Sequence, residues 1–171
     1  MSRRLDYTVD FAAPAEKIHQ DFTSRQYWDT LMDAYGWLIP LSKVDRFTCD
    51  EDGTTIVVRQ NLPRDYLPTV ARSVMPVDMI ITREQHFAPF DQTAGTATGG
   101  FRATVPGGPG YFRGHYLLAD TPTGSRLRLS TTCKVRIPFV GGVLEQLILS
   151  HIPLLFDAEE AFTADWITKH H

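Results

Sequence analysis

The side chains best placed to do chemistry are His151 and Glu159. Both fall within the apolar stripe of a C-terminal segment that repeats with helical period, His151 beside Leu155 and Glu159 near the angle of Ile148. An ionisable group in an apolar wall can fix the polar end of a ligand. With its pKa pulled toward neutrality it can instead serve as a general acid or base. His151 with Glu159 is the one pair that could run a cyclase or dehydratase step, provided both reach the same ligand. The structural alternative is a His151 bonded to a core carbonyl and a Glu159 that reaches solvent or pairs with an arginine. Arg83 and Arg102 are the candidates for that pairing, because each shares a strand face with apolar neighbours.

Other chemical signatures are missing from the sequence. His19, His86, His115 and His151 are scattered, with no His-x-His, His-Glu-x-x-His or Cys-x-x-Cys, so neither a metal nor a cofactor is expected. There is no Gly-x-Ser-x-Gly elbow. Gly108-x-Gly110 lacks the third glycine and the following helix of a nucleotide loop. Glu84 with His86, and Arg113 with His115, share strand faces that read as solvated. Cys133 reads as a small core hydrophobe. Cys49 and Cys133 lie in different expected strands, which favours free thiols in a reducing cytoplasm.

Composition bounds the rest. The chain has 171 residues, 43% apolar and 22% charged, as a soluble single domain over 1–171 would. The net charge of −3 without like-charge blocks gives no footing for nucleic acid. Met1–Asp6 shows no apolar h-region, so no signal peptide is expected, and no stable membrane insertion. His170 and His171 are set aside as a possible tag remnant.

The element that must carry His151 and Glu159 is a long helix from Gly141 to about Ile167, with Leu144, Ile148, Ile152, Leu155, Phe162 and Trp166 on one stripe. Pro153 inside it should kink or split it near His151. Most of what precedes reads as strand. Arg4–Phe11 alternates cleanly and is followed by two short helices, with Ile18 and Phe22, then Trp28, Leu31, Met32 and Tyr35, on their buried sides. Residues 38–48 and 54–61 form a hairpin around Asp50-Glu51-Asp52-Gly53. Residues 62–76, punctuated by Pro63, Pro68 and Pro76, read as a lid or a docked crossover. Strands follow over 77–87, 96–105, 111–119 and 126–137. Thr98, Gly99 and Gly100 weaken or bend the second of these. The acidic outer face of the first strand (Asp6, Asp10) and the basic outer face of the last should make those two neighbours. The fold class is α+β, an antiparallel sheet of about seven strands curved around a long C-terminal helix.

This order, with Ile137-Pro138-Phe139-Val140-Gly141-Gly142 leading into the helix, resembles the START-like (SRPBCC) superfamily. That superfamily includes birch-pollen-allergen-like proteins, polyketide cyclases and lipid-transfer domains. Leu5-Asp6-Tyr7, Tyr27-Trp28 and Phe156-Asp157-Ala158-Glu159 resemble an actinobacterial family of unknown function within it. The resemblance implies a helix-grip fold with a deep hydrophobic cavity, but no ligand.

Three functions are open. In the first, the cavity binds an apolar or amphipathic small molecule such as a lipid, sterol, isoprenoid or polyketide. Phe101, Leu129, Thr131, Val135, Leu144, Ile148 and Leu155 would line it, and His151 or Glu159 would fix a polar head. The second is a cyclase or dehydratase. The third is an interaction protein whose cavity is filled by Trp28, Trp37 and Phe162.

Overall fold

A computed structural model describes residues 3–35, 41–66, 69–74, 77–104 and 110–170. Strand β1 (Arg3–Phe11) is followed by helices α1 (Ala15–Phe22) and α2 (Arg25–Tyr35). The hairpin β2 (Leu41–Asp50) and β3 (Gly53–Leu62) comes next, then a 3-10 turn (Arg64–Tyr66) and α3 (Thr69–Val74). Strands β4 (Met79–Phe87), β5 (Thr96–Thr104), β6 (Gly110–Thr121) and β7 (Gly124–Val135) lead into α4 (Gly141–His170). All seven strands form one antiparallel sheet in the order β1-β7-β6-β5-β4-β3-β2, and α4 lies against it in the helix-grip arrangement. No described helix is long and apolar enough to cross a membrane.

The β1–β7 pairing follows the charge pattern. Asp10 stands opposite Arg126 and accepts two hydrogen bonds from its guanidinium, at 2.7 and 3.1 Å. The guanidinium holds the Asp10 carboxyl below its usual range. The pair is exposed, so it contributes to register more than to stability.

Helix α1 begins at Pro14, which has no side chain to cap the first turn. Asp120 of β6 supplies the cap instead, accepting the Ala15 N–H at 2.8 Å. Ser125 Oγ donates to the Ala13 carbonyl at 2.8 Å. The two contacts bind the helical connection to the far end of the sheet, and Ile18, Trp28, Leu31 and Met32 then pack into the core with Ile56, Val58, Phe87 and Leu118.

Helix α4 departs from expectation in two ways. It runs unbroken through Pro153, so the expected split near His151 does not occur. The missing N–H costs one hydrogen bond, and tertiary contacts on both sides of the proline hold the helix together. It also extends past Ile167, where His170 stacks on Trp166 with ring centroids 3.8 Å apart and bonds the Trp166 carbonyl through Nδ1. His170 therefore stacks on the helix surface while staying exposed, and His171 lies outside the described residues. Glu145 is buried in the first turns. Its carboxylate accepts the Val135 N–H at 2.8 Å and faces Arg3 and Lys134, each at 3.8 Å. This contact pins the start of α4 to the end of β7.

Two measurements check this account. Glu145→Ala strands the part-buried Val135 N–H and should lower unfolding stability by about 1–3 kcal/mol, with Glu145→Gln recovering part of it, in denaturant titrations. Cys49 is exposed and Cys133 buried, both as free thiols, and burial, with the Glu145 charge, pushes the Cys133 thiol up to about 11. A thiol-titrating disulfide reagent at neutral pH should count one thiol in the native protein and two after unfolding.

Candidate functional site

Between the concave face of the sheet and α4 lies a cavity of about 310 Å³. Its position follows from the strand register. Facing residues form rows across the sheet, because antiparallel partners share a face. One row reads Phe87, Gly99, Tyr116, Leu129 and Tyr7, and the next reads Gln85, Phe101, Gly114, Thr131 and Leu5. Each row sets a large ring beside a glycine, Tyr116 beside Gly99 and Phe101 beside Gly114. At Gly99 an added Cβ would lie 2.4 Å from Cε1 of Tyr116, and at Gly114 it would lie 2.5 Å from Cζ of Phe101. The two rings therefore lie down over the glycines instead of standing up into the space beneath α4. The backbone of α4 approaches β7, β1 and α2, which leaves the middle strands to floor the cavity.

The wall is mostly apolar, with Val9, Ile81, Phe87, Leu127, Leu129, Ile148, Ile152 and Leu155 among its members. Its polar members cluster. Arg83 of β4 donates from Nη2 to the Glu159 carboxylate of α4 at 2.7 Å, with side chains only 18% and 15% exposed. Burial is the largest single influence on Arg83 and works against its charge, but the Glu159 carboxylate together with Tyr35 and Tyr27 leaves the Arg83 pKa raised. With its amide oxygen turned toward Arg83, Gln85 accepts from Nε and Nη2 at 2.7 and 2.8 Å. The guanidinium also lies 5.7 Å from the centre of the Trp28 ring. A second chain of bonds supports Glu159 from behind. The Tyr27 hydroxyl donates to Thr163 Oγ1 at 2.7 Å, and Thr163 donates to the Glu159 carbonyl at 2.7 Å. Burial raises the pKa of Tyr27, and burial together with the Glu159 charge raises that of Tyr35, so both phenols stay protonated.

The wall also carries Gln60, Thr104 and the hydroxyl-bearing side chains of Tyr7 and Tyr116. The Tyr7 hydroxyl lies between two carboxylates of α4, donating to Asp157 at 2.6 Å with Glu160 at 3.1 Å. Burial, then these two carboxylates, raises its pKa. Tyr116 is 4% exposed, and its hydroxyl has no protein partner among the described residues.

The structure sorts the residues nominated from sequence. Phe101, Leu129, Ile148, Leu155 and Glu159 stand on the cavity wall. Thr131, Val135 and Leu144 are not part of it. Thr131 shares the concave face but is fully buried, behind the Phe101 ring that lies over Gly114 in the same row. Val135 ends β7 and Leu144 sits in the first turn of α4, at the junction pinned by Glu145 and short of the cavity. The His151 side chain and Trp37 lie outside the described residues. So do Leu67, Pro68, Met75 and Pro76 of the expected lid. The rest of that segment is tied down by Arg64, which donates to the Arg72 carbonyl at 3.0 Å and to Asp78 at 2.9 Å. Arg102 is exposed and pairs with Glu84 at 3.4 Å, so Arg83 alone of the two arginines meets Glu159. Sequence reasoning missed Gln85, Tyr116 and the two glycines that seat the rings. Among the described residues, no group of three or more metal-capable side chains converges.

Breaking the ion pair should be costly, because either partner left alone is an uncompensated buried charge. Arg83→Met or Glu159→Gln should each lose about 3 kcal/mol of unfolding stability, at the low end for buried pairs because of the residual exposure. The double variant should lose less than the sum, and a double-mutant cycle in denaturant measures that coupling.

Comparison with known proteins agrees with this architecture. Residues 6–167 match the family model described as a protein of unknown function (DUF2505). An uncharacterised protein of Mycobacterium tuberculosis is 30% identical over 175 residues, covering 99% of both chains. Among solved structures, norcoclaurine synthase from Thalictrum flavum superposes with a TM-score of 0.55 at 17% identity, covering 99% of this chain and 88% of that one. Ara h 8.0201 gives 0.56 at 11% identity, covering 96% and 99%. A protein from Thermus thermophilus gives 0.56 at 15% identity, covering 96% and 95%. With a helix-grip fold of the START-like kind and a family model matched along nearly its whole length, the chain belongs to the DUF2505 family of proteins of unknown function.

Proposed function

We propose that this chain is a binding module for an apolar or amphipathic small molecule of the lipid, sterol, isoprenoid or polyketide type. The observation that carries the reading is the cavity. Its volume of about 310 Å³ lies at the small end of ligand pockets, and its wall is apolar with a few clustered polar groups. Phe101, Leu129, Ile148 and Leu155 would contact the ligand body, and Glu159 with Arg83 would be the polar fixture. A ligand burying about 400 Å² of apolar surface gains roughly 10 kcal/mol. Losing at least about 4 kcal/mol of that to restricted motion leaves a Kd in the tens of micromolar before any polar contact. A protein of the same fold, norcoclaurine synthase, is known in complex with dopamine and hydroxybenzaldehyde, two small aromatic molecules.

The cyclase or dehydratase reading is weaker because its acid–base pair is incomplete. Glu159 is bound to Arg83, so its carboxylate is engaged before any substrate arrives. An interaction protein with a filled core is weaker still, since Trp28 borders the cavity without closing it.

Native mass spectrometry of the purified protein, followed by solvent extraction, tests the reading. A co-purifying apolar or amphipathic compound of a few hundred daltons is the expected result. A clean apo mass, with no uptake of neutral apolar fluorescent probes, would overturn it.

A further inference from the structure

We infer that Gln60 is a ligand-recognising residue of the cavity, and that its carboxamide takes a neutral head group that both donates and accepts hydrogen bonds, such as a primary carboxamide, a lactam or a hydroxyl. The inference rests on the binding-module reading and names the head group that the site takes.

Gln60 lies on β3, and its side chain is part of the cavity wall. Only 6% of its surface is exposed. Its neighbours on the concave face are apolar, Val58 on its own strand and Ile81 opposite it on β4. Its side chain makes no hydrogen bond to any described residue. The Tyr116 hydroxyl and Thr131 Oγ1 are unpartnered too, but both are closed off from any occupant. The Gln60 amide is unpartnered and not closed off, and the space it opens onto is the cavity.

A carboxamide carries two donor hydrogens and an acceptor oxygen. Leaving it without partners in an apolar enclosure is unfavourable, and an aliphatic side chain would fill the same place without that cost. What enters the cavity accounts for the glutamine. Other polar groups of the wall are already engaged within the protein. Arg83 is bonded to Glu159 and Gln85, Thr163 to Tyr27 and the Glu159 carbonyl, and Tyr7 to Asp157. On the β3–β4 ladder Gln60 stands one inward pair away from Val58 and Arg83. A head group bound there leaves the ion pair intact, and the apolar body lies over the middle strands. A head that both donates and accepts uses both halves of the amide, whereas a ketone uses only the donor half.

The test uses three naphthalenes of nearly the same shape. 2-Naphthamide donates and accepts, 2-acetylnaphthalene only accepts, and 2-isopropenylnaphthalene does neither. Each competes with the neutral probe N-phenyl-1-naphthylamine on the full chain and on its Gln60→Met variant, with the probe's own affinity measured for each protein. Hydration differs among the ligands but not between the proteins, so the readout is the change in the ratios of their dissociation constants. Relative to the hydrocarbon, Gln60→Met should weaken the amide by roughly 10–30-fold and the ketone by roughly 5-fold, as two hydrogen bonds and one allow. The ligand-free variant should melt no lower than the parent chain, because no bond within the protein is lost. Unchanged ratios, or a marked fall in melting temperature that assigns the amide to the protein's own bonding, would overturn the inference and leave the binding-module reading standing. Failure of the probe and all three competitors to bind either protein would overturn the binding-module reading itself.

Discussion

The Arg83–Glu159 ion pair is the constraint around which the cavity is arranged. It joins the middle of the sheet to the second half of α4, across a space that apolar packing would otherwise collapse. Two charges withdrawn from water are stable only if both stay in register, so the separation of helix and strand is set by the length of a guanidinium–carboxylate contact. The other end of the helix is fixed by Glu145 on the Val135 N–H. Between these two points α4 presents Ile148, Ile152 and Leu155 to the opening. A helix clamped at two places bridges the sheet between them, and this also explains how Pro153 is tolerated.

The floor obeys a different rule. Sheets covered by helices normally fill the gap with upright side chains at close-packed density. Here Tyr116 and Phe101 lie over Gly99 and Gly114, and Ala103 is a third small floor residue. The aromatic mass is displaced to one end, where Phe22, Tyr27, Trp28, Phe87, Phe162 and Trp166 make successive ring contacts of 5.5 to 6.1 Å. That cluster supplies rigidity at one end while the middle stays open.

Much of the fold was legible because it rests on short-range pattern. Alternation gave the strands, charge complementarity gave β1 beside β7, and the 3.6-residue stripe gave α4. Glu159 stood out for the same reason, as a carboxylate within an apolar stripe, and Arg83 as an arginine on an apolar strand face. What failed depended on depth. Thr131 lies on the correct face but behind a phenyl ring, and alternation reports the face only. The burial of Glu145 could not be read, because a single carboxylate's tertiary partner, a backbone N–H ten residues away, leaves no mark in composition. Gly99 looked like a weak point in a strand, since the ring it accommodates comes from β6, seventeen residues further on.

The sheet order carries a consequence for how the chain is made. β1 leaves the ribosome before the other strands of the sheet, yet its partner among the described strands is β7, more than a hundred residues later, and the helix that covers the concave face follows the whole sheet. Contacts this distant in sequence raise the entropic barrier to closure and slow folding. Until α4 emerges, the nascent sheet has an uncovered apolar face and β1 has no ladder to join. Emergence of α4 thus acts as the step that commits this domain, and a ribosome stalled before it would expose an aggregation-prone surface.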